Sequence, residues 1–123
     1  MLLTEGQTDQ RSLLRLGAEA VELLVKRDFS ALADRFGYAR AYGRRASDAI
    51  EADLATCLAE ADLELDQVTS WQTVKYFKPN DINLFAVVEC VALMPEGPSV
   101  LVELIVRESG AGRHVSLEDI SLA

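Results

Sequence analysis

Histidine and tryptophan each occur once in the 123 residues, and cysteine only twice. With His114 the lone imidazole and Cys57 and Cys90 far apart in the chain, no metal motif and no disulfide framework exist. No metal and no cofactor are expected. Cys57 falls in a helical pattern and Cys90 in a strand pattern, which reads as two buried thiols. No apolar run approaches the ~20 residues of a membrane span. The opening MLLTEGQTDQR lacks the basic and apolar regions of a signal peptide. These absences predict a soluble, cytoplasmic protein with no membrane partner. Bases are scarce as well: 12 Lys and Arg against 20 Asp and Glu leave a net charge of −8. That sign opposes a phosphate backbone, so nucleic acid is not an expected partner. Gly37, Gly43, Gly110 and Gly112 compose no phosphate-binding fingerprint.

What is present centres on residues 83–107, NLFAVVECVALM, a PEGP turn and SVLVELIVR. Two Val- and Leu-rich runs around Pro-Glu-Gly-Pro predict an antiparallel hairpin. A sheet with one wet face alternates apolar and polar residues. Here Glu89 is the only charge between Leu84 and Met94, and Glu103 the only one between Val100 and Val106. Both faces of the hairpin therefore require cover. Helices supply it on one side, and the other is expected to meet a second sheet, most simply in a homodimer.

The chain is long enough for one domain, residues 1–123, burying roughly two-thirds of the unfolded surface. Residues 1–7 are polar and expected to fray. Helices are predicted at about 8–27, 28–36 and 48–61, capped by Thr8-Asp9, Asp28 and Ser47, with Gly37 ending the second. Strands follow at about 67–78, 83–94, 99–107 and 113–122, the last polar enough for an edge. The fold class is α+β: three N-terminal helices packed on one face of a four-stranded antiparallel meander.

The stretch AVELLVKRDFSALADRF, residues 20–36, resembles the opening of the nuclear-transport-factor-2-like superfamily. The element order is similar to that of its smaller cystatin-like members. The Glu118-Asp119-Ile120 step also looks like uncharacterised bacterial families of this size. The resemblance implies a curved sheet enclosing an apolar pocket. The matching residues are structural, and no catalytic residue carries over onto a position of this chain.

Chemistry has few candidates. Glu89 and Glu103 sit mid-strand in apolar runs, where an unpaired carboxylate is costly to bury. They read as pocket acids or bases with raised pKa, as partners of Lys75, Arg107 or Arg113, or as residues projecting into an interface. The turn leaves the strand register, and so their shared or opposite faces, undetermined. His114, at the start of the last strand, is a candidate general base or else a surface or ladder histidine, with no recognisable nucleophile and acid around it. Trp71 reads as core, pocket lining or interface anchor, and Val100 and Val102 as pocket or interface residues.

Charge is unevenly spread. Residues 35–45 hold Arg35, Arg40, Arg44 and Arg45 and no acid, an anion patch unless the following acids neutralise it. Residues 46–66 hold seven acids and no base. Among them Glu51, Asp53, Glu60 and Asp62 form the expected partner-binding surface. The function expected is that of a small acidic, non-enzymatic binding protein, such as an immunity or inhibitor protein neutralising a basic partner. The alternative is a pocket protein that binds a small apolar ligand or performs simple acid–base catalysis with Glu89 or Glu103.

Overall fold

The computed structural model describes residues 1–61, 69–93, 99–110 and 112–122. The elements are β1 (Leu2–Leu3), α1 (Gln10–Val25), α2 (Phe29–Phe36), α3 (Ala46–Ala61), β2 (Thr69–Tyr76), β3 (Leu84–Leu93), β4 (Val100–Ser109) and β5 (Gly112–Leu122), with short 3-10 turns at Glu5–Gln7 and Ala39–Ala41. The class is α+β, with three helices and one antiparallel sheet in the order β1-β5-β4-β3-β2. The expected PEGP turn and the Asp62–Asp66 exit from α3 lie outside the described residues.

Local chemistry sets the helix ends. Asp9 caps α1 by accepting from the Ser12 N–H, and Asp28 caps α2 by accepting from the Ala31 N–H. Gly37 ends α2 at φ 66°, where a side chain would be strained. Ser47, expected to cap α3, lies inside its first turn, because the Arg45 carbonyl already accepts from the Ala49 N–H.

The helices bury one stripe each. Leu13, Gly17, Ala20, Val21 and Leu24 of α1 recur every three or four residues and pack over β2 and β3. Ile50, Leu54, Cys57 and Leu58 of α3 cover β5, and Leu32 and Phe36 of α2 fill the corner between them. The sheet meets them with Ala86, Val88, Cys90 and Ala92 from β3 and Val100, Val102, Leu104 and Val106 from β4. Each fully buried Leu or Val contributes roughly 1.5–3 kcal/mol of apolar burial.

Two expectations are overturned. Residues 1–7 do not fray as a unit: Leu2 pairs with His114 and Leu3 with Arg113, adding a fifth strand to the expected four. The reason is that Leu3 joins the core, at 5% exposure. In consequence β5 is not the sheet edge over its first residues. Val100 and Val102, expected in a pocket or interface, are buried under the helices at 0% and 1% exposure. Side chains alternate along a strand, so the outward residues of β4 are instead Leu101, Glu103 and Ile105.

Candidate functional site

The register places Thr73, Glu89, Glu103 and Asp119 in one line across β2, β3, β4 and β5. Glu89 and Glu103 are directly opposed, and Glu103 and Asp119 likewise. A bulge makes the last alignment possible. Val102 faces Ile120 and Leu104 faces Leu117, so Glu118 is the extra residue on β5. It shifts the alternation by one, turning Leu117 and Ile120 both inward and Asp119 outward. Directly opposed like charges destabilise a sheet.

This row crosses the sheet face turned away from the helices. Around it lie Val87, Val91 and Leu93 of β3 and Leu101 and Ile105 of β4, and at the margin Trp71, which is 50% exposed. Trp71 is thus not a core residue. Ile105 is buried without belonging to the core under the helices, so neighbours on this outer face shield it. Among the described residues no helix packs here. Burial chiefly, then the charges of Asp119, Glu89 and Glu118, push the Glu103 carboxyl above its ordinary pKa, with Arg40 opposing. The Oε2 atom of Glu118 is buried with no hydrogen-bond partner among the described residues.

Cations near the row are few. Arg40 reaches in from the 3-10 turn, its Nε 3.1 Å from Asp119 Oδ1. Lys75 lies on the same face but sets its Nζ 5.4 Å from the Phe77 ring centroid, towards the far end of the sheet. No Lys or Arg occurs in 62–68 or 94–98. Among the described residues no three Asp, Glu, His or Cys side chains converge as metal ligands would.

Beside the row, Tyr38, Arg40, Tyr42, Arg44, Asp53 and Asp119 contribute to a cleft of about 410 Å³ between the 3-10 turn, α3 and β5. Its charges are already matched. The Tyr38 hydroxyl donates to Asp53 Oδ2 at 2.6 Å, and Arg44 Nη1 donates to Asp53 Oδ1 at 3.1 Å. Burial works to raise the Asp53 pKa, but these bonds and the Arg44 and Arg40 charges hold it below its ordinary value. Burial and the bond to Asp53 raise the Tyr38 phenol.

The expected anion patch is therefore dispersed. Arg35 pairs back to Glu19 of α1, Arg40 to Asp119, Arg44 to Asp53, while Arg45 has no ion pair among the described residues. In the expected acidic docking surface, Glu51 is exposed but Asp53 is held within the fold. Asp62 and the side chain of Glu60 lie outside the described residues. The His114 ring is on the surface beside β1, and partial burial first, then the charge of the N-terminus, lower its pKa below the ordinary value. Cys90 is buried, and burial pushes its thiol up to about 12, which removes it as a nucleophile.

Sequence reasoning found both glutamates but missed Asp119, Val91 and Leu101. The missing signal was parity: with charges at odd positions of β3 and β4, the even positions had to face the core. Comparison with known proteins returned no family model, no curated relative and no solved structure that matches this chain.

Proposed function

We propose that this chain is a small acidic binding protein without catalytic chemistry, of the immunity or inhibitor kind, which takes a more basic protein on the outer face of its sheet. The observation that carries this reading is the row Glu89–Glu103–Asp119, set in an apolar face that no described helix covers. Opposed carboxylates cost stability in the free chain. A cationic partner turns the same field into attraction and faster association. Trp71 at the margin is the residue type most enriched among binding anchors.

Acid–base catalysis in a pocket between helices and sheet would need Glu89 or Glu103 there, and both turn to the opposite face. A homodimer through this face sets one carboxylate row against another at neutral pH.

The test begins with low-salt capture from native extract and continues with the purified captured protein. A basic partner is expected whose affinity falls with salt and weakens at least about tenfold against Trp71→Ala/Glu103→Lys, with the circular-dichroism spectrum unchanged. Binding indifferent to both salt and these substitutions refutes the reading.

A further inference from the structure

Within the row, the two ends differ. Asp119 already holds a guanidinium, that of Arg40, at 3.1 Å. Glu89 and Glu103 face one another with no cation bonded to either among the described residues. Directly opposed residues of an antiparallel pair set their Cβ atoms ~5 Å apart. Among the described residues no group of three acidic, histidine or cysteine side chains forms there that could hold a metal ion, whereas a planar, many-donor guanidinium can bond two neighbouring carboxylates at once. Trp71 lies diagonally from Glu89, since Thr73 is the residue opposite Glu89. Its half-exposed indole is then within reach of a guanidinium held by Glu89. Apolar Val91 and Leu101 border the pair and desolvate what docks there.

We propose that Glu89, Glu103 and Trp71 form a receptor for one arginine side chain of a protein partner, presented between apolar neighbours. This rests on the reading that a basic protein docks on this face. Charge selects that occupant over the others. A second copy brings an equal row of carboxylates, and 62–68 and 94–98 of this chain contain no base. Arg40 on Asp119 shows that the row already takes one guanidinium from within the chain.

The experiment titrates the ¹⁵N-labelled full chain at pH 7 and low salt with three blocked tripeptides, Leu-Arg-Leu, Leu-Lys-Leu and Leu-Gln-Leu. The arginine peptide is expected to shift the Trp71 indole and the amides around Glu89 and Glu103. Its Kd should be about tenfold below that of the glutamine peptide and below that of the lysine peptide. In Glu89→Gln/Glu103→Gln the ratio should fall to about one. Equal affinity for the arginine and glutamine peptides overturns the proposal, as do shifts centred elsewhere or a preference that survives in the double variant. So does a wild-type dimer at micromolar concentration that buries Trp71. A captured basic protein that still releases with salt but binds the double variant as it binds wild type defeats the arginine receptor alone. The broader reading then stands.

Discussion

Glu103 is flanked by Glu89 on one side and Asp119 on the other, which sets three carboxylates side by side across the sheet. Its raised pKa, from burial first and those neighbours next, has a signed consequence. The folded state holds that proton more tightly than the unfolded state, so stability declines as pH rises. The decline begins near the ordinary value of 4.5 and is complete above the raised folded value. Glu103→Gln should therefore melt at or above the wild-type temperature at pH 7, with the gap closing below pH 4.5. A variant less stable at pH 7 would mean that the carboxylate has a cationic partner. Arg113 behaves oppositely. Its side chain is only 17% exposed, donates to Thr8 Oγ1 at 2.7 Å, and lies 3.8 Å from the Phe85 ring centroid. Arg113→Lys cannot keep both the planar stack and the directed bond, and urea unfolding should show a loss on the order of 1–3 kcal/mol. Both glutamates were legible in the sequence as interruptions of apolar runs. That they oppose each other was not, since register depends on a turn whose residues do not specify it.

Helix α1 lies so close to the sheet that position 17 has no room for a side chain. A Cβ there would sit 2.8 Å from Cys90 Sγ and 2.9 Å from Val88 Cγ1 and Gln72 Cγ. Gly17→Ala gains about 1 kcal/mol of helix propensity but overpacks two strands, which typically costs about 1–3 kcal/mol. Crowding should win, and equilibrium unfolding should show a net loss; a stabilised variant would mean that α1 can lift off the sheet. Strand β1 is two residues long, yet Leu3 is core. Leu3→Ala should cost at least about 2 kcal/mol, where a frayed terminus would lose nothing. The helices were readable because a three-to-four residue stripe needs no partner to be recognised. A two-residue strand has no period to read, and its pairing with β5 exists only once the sheet is assembled.

Net charge acts on the whole molecule. At −8, with opposed carboxylates on one face and unpaired acids on α3, repulsion exceeds what the exposed ion pairs return, since such pairs contribute about 0–1 kcal/mol each. Raising NaCl from about 20 to about 300 mM should raise the urea midpoint by screening that repulsion; a fall would show that ion pairs dominate. Light scattering at neutral pH and micromolar concentration should give the mass of one chain. No helix among the described residues is long and apolar enough to cross a membrane.

The sequence by itself determined the helices, the apolar hairpin, the α+β class and the isolation of Glu89 and Glu103, because those are properties of neighbours along the chain. Only the tertiary structure decided that Glu89 and Glu103 stand directly opposite one another, that Leu2–Leu3 adds a strand, and that Arg40 and Arg44 are spent on Asp119 and Asp53. It also brought Asp119 into line with the two glutamates, through a one-residue bulge at Glu118. Each of these depends on hydrogen-bond register between distant segments. When both faces of a strand are apolar, hydrophobicity cannot select one register over the next, and the packing of the helices and the cost of burying a charge make the choice.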